Sequence, residues 1–199
     1  MLYSLPMGHS VREVVVDETC GRWNLGDLFG GADAGQLDQT ILELEQTVAR
    51  LESSRSCLSS EISTGSFLQL LDAYETMTRL QRRPAAYAFL RFAADTQDQA
   101  ALSLQNRVNQ LLANSDNRVV FFELWFKALP AESAARLVGA SGDRRYFLES
   151  WRRLKPFTLS EPEEKVITLK DVNGIEALVT LYDIITNAFS FTLEVDGDR

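Results

Sequence analysis

The chain has 199 residues, of which 45% are hydrophobic, so one domain with a buried core is expected and general disorder is excluded. Its 20 Lys and Arg against 28 Asp and Glu give a net charge of -8, which argues against nucleic-acid binding through a broad basic surface. The N-terminal residues do not have the pattern of a signal peptide and no apolar run approaches 18 residues, so a cytoplasmic protein without membrane contact is predicted.

Residues 1–22 are predicted to be loosely structured, and residues 23–199 are predicted to form a helical domain. The only histidine, His9, lies in the first segment. A single histidine cannot provide the two or three imidazoles of a zinc site, and no neighbour of His9 supplies an orienting pattern for a catalytic base. Cys20 and Cys57 are expected to be reduced thiols, because no CxxC pair is present.

The first helix is predicted from about Gln36 to Cys57. Four apolar residues in it and one directly after it recur at heptad spacing. They are Ile41, Leu44, Val48, Leu51 and Leu58. Fewer than three heptads are present, so this seam is expected to pack inside a helical bundle and not to form a free coiled coil.

The next helix is predicted over Ser66 to Gln81. Pro84 follows it, and proline is tolerated in the first turn of a helix but not in its interior. A separate short helix is therefore predicted over Ala85 to Ala94.

The longest helix is predicted from Gln97 to about Leu129, with Asp95 or Thr96 as its N-cap. Residues 114–117 (NSDN) have poor helix propensity, so either one helix or two helices with a bend at this point are expected. The following segment, Val119 to Phe126, is apolar almost all round. Such a helix is normally buried, although an exposed contact surface is the alternative.

Pro130 is predicted to open a short helix that Gly139 ends, and Arg144 to Arg153 is predicted to form another. The next stretch, residues 155–167, reads KPFTLSEPEEKVI. Ser160 and Glu163 have the spacing of a capping box, which predicts a helix start. Carboxylates paired for acid–base catalysis are the alternative interpretation of this stretch.

This helix is predicted to continue to Val172 and to end at Asn173-Gly174, before a further helix from Ile175 to Asn187. Phe189 to Val195 then alternates apolar and polar residues, which predicts a half-buried strand. Asp196-Gly197 is a hairpin-turn signal with no returning strand after it. The predicted fold is mainly α, a helical bundle-like lobe with a short C-terminal strand or incomplete hairpin. An unpaired strand invites self-association through Phe189–Val195.

Four segments, in order along residues 23–197, together resemble the oligoendopeptidase F family, zinc metallopeptidases of the thimet-oligopeptidase type. Residues 155–167 resemble the family's R-x-x-x-P-H-x-L-S-E-P-E-E-K segment. The other three are WNLGDLF (23–29), YAFLRFAADT (87–96) and FTLEVDG (191–197). Phe157 and Asn24 stand where the family commonly has His and Asp, and neither position is a zinc ligand in the family.

The resemblance covers only the N-terminal region of that family. Its His-Glu-x-x-His motif, in which two imidazoles on one helix face bind zinc, is absent from this sequence. The resemblance therefore implies no catalytic, cofactor-binding or metal-binding residue in this chain, and zinc only in the full-length protein. It implies a lobe that forms part of the wall of a channel for oligopeptide substrates and is inert alone.

Two other hypotheses remain open at this stage. The chain could be a stand-alone helical module that binds peptides or a protein partner without catalysis. A self-sufficient hydrolase that uses His9 is the second, and it predicts that His9→Ala abolishes an activity that EDTA does not affect.

Overall fold

The computed structural model describes residues 24–29 and 34–190. This part of the chain is mainly helical and contains no strand. Its seven α-helices are α1 (Ala34–Ser53), α2 (Thr64–Ala94), α3 (Gln99–Ala128), α4 (Ala131–Gly139), α5 (Arg145–Arg153), α6 (Glu161–Asp171) and α7 (Ala177–Asn187). The prediction of a mainly α fold is confirmed. Most of the predicted strand Phe189–Val195, together with residues 1–22, lies outside the described residues.

The core forms where α1, α2 and α3 pack against one another. Leu44, Val48 and Leu51 of the predicted seam on α1 are each no more than 1% exposed, so the bundle interpretation of this seam is confirmed. A 3-10 turn, Ser54–Cys57, follows α1 and completes the first predicted helix.

Aromatic rings of three helices fill the centre of this core. The ring of Phe67 on α2 stacks on that of Phe126 on α3, with 5.7 Å between centroids. Trp151 of α5 meets Tyr74 of α2 edge to face at 5.1 Å. Offset and edge-to-face pairs of this kind are favourable beyond the area they bury, so they fix α5 onto the bundle.

The predicted helix break at Pro84 is wrong, because α2 continues from Thr64 to Ala94 with Pro84 inside it. Proline costs the helix one backbone hydrogen bond. Gln81, Pro84 and Ala88, which follow one another on the same side of α2, are all buried. Tertiary packing of this side therefore outweighs the local preference for a break.

The third helix is one continuous α3, so the alternative of two helices is wrong. Gln81 of α2 donates a hydrogen bond to Asp116 at 2.7 Å, and Asn117 donates to the carbonyl oxygen of Lys165 at 3.2 Å. These polar side chains bond other helices and do not compete for their own backbone.

The N-cap of α3 is Asp98, which accepts bonds from the N–H groups of Ala100 and Ala101, so the prediction of Asp95 or Thr96 is wrong.

The two short helices α4 and α5 follow the predicted positions. Pro130 precedes α4 as its N-cap. Between the two helices Gly142 has φ +59°, a conformation that glycine adopts at little cost. From α5, Arg152 donates to the carbonyl oxygens of Lys127 at 2.6 Å and Leu129 at 2.8 Å, which closes the C-terminal end of α3.

The predicted helix end at Asn173-Gly174 is wrong. Residues Val172–Glu176 form a π-helical turn that joins α6 to α7 without interruption. A glycine C-cap requires a left-handed backbone, and among the described glycines only Gly142 has a positive φ. We refer to residues 161–187 as the C-terminal arm.

The described N-terminal residues dock on α2. Asn24 caps a short 3-10 turn, Leu25–Asp27, by accepting a bond from the N–H of Gly26 at 2.9 Å. Phe29 is buried, and its ring meets Tyr87 edge to face at 5.1 Å. The guanidinium of Arg83 lies 4.6 Å from the centre of the Phe29 ring. Phe29 therefore anchors this segment to the main body.

Candidate interaction surface

The charged residues at the start of the C-terminal arm are engaged in local structure. The carboxylate of Glu163 accepts hydrogen bonds from the N–H of Ser160 at 2.9 Å and from its hydroxyl at 2.5 Å, as the predicted capping box requires. The hydroxyl and backbone bonds from Ser160 hold the pKa of Glu163 below its ordinary value.

Glu161 joins the arm to the turn after α1. Arg55 donates to both of its carboxylate oxygens, at 2.9 and 2.6 Å, and Lys165 donates to it at 2.7 Å. The bonds from Arg55, then those from Lys165, lower the pKa of Glu161 from 4.5 to about 2. A carboxylate held ionised in this way is a poor general acid or base near neutral pH, so its observed role is to fix the arm in place.

The arm packs on the bundle through polar groups. On α6 the half-buried residues are Glu161, Glu164, Lys165 and Thr168, and α6, the π turn and α7 contain no buried residue. At the π turn Asn109 of α3 donates to Glu176 at 3.2 Å. The usual arrangement, with the apolar stripe of a surface helix facing the core, is therefore reversed here.

The last turn of α7 is tied to the loop before α3. Asn187 donates to the hydroxyl of Thr96 at 3.0 Å, and Gln97 donates to the carbonyl oxygen of Ile184 at 3.5 Å. Thr96 is itself buried. The YAFLRFAADT segment thus supports two parts of the fold, because Tyr87 holds Phe29 and Thr96 holds α7.

The outer side of α7 is apolar and exposed. Six residues spaced three and four positions apart lie between 47% and 67% exposed. They are Ile175 of the π turn and Leu178, Val179, Leu181, Tyr182 and Ile185 of α7, which together we call the α7 face. On α6, Val166, Ile167 and Leu169 are exposed as well. A helix face that exposes this many large apolar side chains normally marks an interaction site.

A polar groove lies between α2 and α5. It has a volume of about 660 Å³ and is lined by mixed charges and two rings. Arg144 reaches across it to Asp72 and Glu75 on α2. Of the threonines that line it, Thr78 donates to the carbonyl oxygen of Tyr74 and neither bonds a lining carboxylate, so the groove lacks the nucleophile–base pair that covalent catalysis requires.

The structure brings together no group of three metal-ligating side chains within residues 24–29 and 34–190. These described residues therefore provide no set of ligands for the zinc ion that the oligoendopeptidase F family binds. His9 and Cys20 lie outside the described residues, and Cys57 is exposed. None of the helices described is long and apolar enough to span a membrane.

Two apolar helix segments differ in whether they are buried, and the sequence predicted only one of them correctly. Val119, Phe121, Phe122 and Phe126 are buried, so the buried-helix prediction for this segment is confirmed and the contact-surface alternative is wrong. The α7 face was missed as a site, although its spacing is visible in the sequence. Periodicity identifies an apolar face but cannot tell whether it points toward the core.

Comparisons with known proteins give one family. Residues 125–191 match the family model for the N-terminal domain of the M3 peptidases, which is described as oligopeptidase F. A comparison with curated proteins found no match, and a comparison with solved structures found none either. The match runs from the last turns of α3 to the end of the arm and includes the α7 face, whereas residues 23–29 and 87–96 lie outside it. The match supports an oligoendopeptidase F-type N-terminal region over residues 125–191.

Proposed function

We propose that this chain is the N-terminal, non-catalytic lobe of a zinc metallopeptidase that cleaves short oligopeptides. The observation that carries the proposal is the family match over residues 125–191, the part of the chain that carries the outward apolar surface. In this proposal the exposed side of the C-terminal arm packs on the metal-binding lobe. The helical bundle then forms part of the wall of the substrate channel.

The lobe is proposed to be inert alone. The sequence has a single histidine and no His-Glu-x-x-His motif, so two imidazole ligands on one helix are not available. Glu161, the carboxylate with the strongest hydrogen-bond support in the arm, is bound to Arg55 and Lys165 and is not free for proton transfer. Zinc would be supplied and held by the other lobe.

A stand-alone helical binding module is the second candidate function. The α7 face favours it, because an exposed apolar helix face can receive an amphipathic helix of a partner. The two candidates differ in what must be present for activity. A lobe acts only with a peptidase partner, whereas a binding module acts with a ligand of its own.

Peptide hydrolysis tests the proposal. The chain, a catalytic lobe of an oligoendopeptidase F-type enzyme that lacks its own N-terminal region, and a mixture of the two are incubated with zinc and a short quenched-fluorescent peptide. We expect no cleavage by the chain alone and EDTA-sensitive cleavage that increases when the chain is added to the catalytic lobe. Cleavage by the chain alone would overturn the proposal.

A test variant and a matched control variant show whether the α7 face is the contact in this experiment. Leu178→Glu places a charge on the α7 face, and Leu42→Glu places one on α1, where Leu42 is 52% exposed. We expect Leu178→Glu to remove the stimulation and Leu42→Glu to leave it unchanged. Equal effects of the two variants would argue against the arm as the contact with the catalytic lobe.

A further inference from the structure

We propose that two copies of this chain pair through their α7 faces, antiparallel and about a two-fold axis. The pairing uses the face that the proposed catalytic lobe would cover, so it concerns the chain in the absence of that lobe and does not rest on the proposed function. It starts from the reversed packing of the arm, which leaves six large apolar side chains in water while the opposite side of the helix bonds the bundle. Covering them is the change that removes the most apolar surface from solvent on the arm.

The α7 face is self-complementary. In an antiparallel pair centred near residue 180, Leu178 of one copy meets Tyr182 of the other, and Ile175 meets Ile185. A two-fold axis makes each of these contacts occur twice, as a symmetric dimer requires. The spacing of three and four residues supplies the ridges that two packed helices interdigitate.

The exposed area suits a dimer of modest affinity. Six residues about half to two-thirds exposed present an apolar patch on the order of 500 Å². Two such faces bury about 1,000 Å² in total, which is close to the lower bound for a specific interface. Interfaces of this size are typical of weak and reversible pairs, so the pairing is expected to depend on concentration.

Charge affects the pairing at short and at long range in different ways. None of the six residues is charged, so no like charges of the face meet when two copies pair. Each copy nevertheless carries a net charge of -8, which opposes association at long range. Salt screens this repulsion, so the dimer is expected to become tighter as salt is raised.

Sedimentation equilibrium over a range of concentrations tests the pairing, with circular dichroism to check that each variant is folded. We expect a monomer–dimer equilibrium for the wild-type chain. Leu178→Glu should raise the dissociation constant roughly a hundredfold, because a leucine contact is lost twice in a symmetric pair. Leu42→Glu, on an exposed site of α1, should leave it unchanged.

A mixing experiment tests the antiparallel arrangement. Leu178→Glu and Tyr182→Lys should each be monomeric alone, and an equal mixture should recover part of the dimer, because the two new charges face each other across the axis. A mixture that stays monomeric would overturn this arrangement. A wild-type chain that is monomeric at every concentration would overturn the pairing itself. A monomer in which another segment of the chain covers the α7 face and protects its amides from hydrogen exchange would overturn the pairing as well. A dimer that Leu178→Glu does not weaken would also overturn it.

Discussion

Glu161 links two segments that lie far apart in the sequence. Its partner Arg55 is 106 residues away, and the Arg55 guanidinium also lies 4.9 Å from the centre of the Phe121 ring. The capping box around Ser160 could be predicted, because its residues are neighbours in sequence. The bond to Arg55 could not, since it depends on how the arm folds back across the bundle.

The pH dependence of stability should report the Glu161 contact. The folded-state pKa of Glu161 is lowered from 4.5 to about 2, so its contribution is present above pH 4.5 and is lost as the pH falls toward 2. Glu161→Gln should therefore lower the free energy of unfolding near neutral pH and lose less stability on acidification than the wild type. Urea denaturation at a series of pH values measures both effects.

The control for this pH series is Glu132→Gln, because Glu132 is exposed and has no ion pair among the described residues. It should follow the wild-type curve. A Glu161→Gln variant that loses stability as steeply as the wild type between pH 4.5 and 2 would show that this carboxylate does not stabilise the fold.

Arg152 is the second residue with a specific structural role. It donates to three carbonyl oxygens at the end of α3, those of Phe126, Lys127 and Leu129. Arg152→Ala should lower the free energy of unfolding by about 2 kcal/mol, since bonds from a charged donor are lost and the carbonyl groups remain half-buried. Urea unfolding curves give the change.

Arg153→Ala is the matched control for Arg152. The Arg153 guanidinium lies 5.6 Å from the centre of the Tyr146 ring, and both side chains are exposed, so a change of no more than about 0.5 kcal/mol is expected. If both variants lose the same stability, the closure of α3 by Arg152 contributes nothing measurable.

At the scale of elements, two glycines with open surroundings should respond in opposite directions. No atom lies within 4 Å of a Cβ built on Gly142 or Gly174, so neither substitution causes a clash. Gly142 has φ +59°, and Gly142→Ala should destabilise the fold by about 1–2 kcal/mol. Gly174→Ala, inside the π turn, should stabilise it by about 0.5–1 kcal/mol. Thermal unfolding of the two variants gives the sign, and a loss of stability in Gly174→Ala would contradict the helical π turn.

The positions of the helices could largely be predicted from apolar periodicity and caps, while three boundaries could not. Pro84 and Gly174 are strong local signals for a helix end, yet α2 and the arm continue through them. The N-cap of α3 was misplaced by three residues or fewer, because Asp95, Thr96 and Asp98 all suit the position. In each case packing decides between states that local propensity alone ranks differently.

At the scale of the whole molecule, the main result is that the C-terminal arm turns its apolar side away from the core. The sequence predicts α7 and its apolar side, but a helix of this kind would ordinarily turn that side toward the core. Here the polar contacts of Asn109, Asn187 and Gln97 hold the opposite side against the bundle. This reversal follows from which residues find partners on α3 and the loop before it, and such long-range pairings are not visible in a periodic pattern.

We propose above that the chain is the N-terminal lobe of a zinc peptidase, and the DNA that encodes it tests this most directly. The reading frame is sequenced beyond the codon of Arg199. We expect the frame to continue through a returning strand into a helix with His-Glu-x-x-His. A stop codon directly after Arg199 would contradict it, and the chain would then be studied as a binding module.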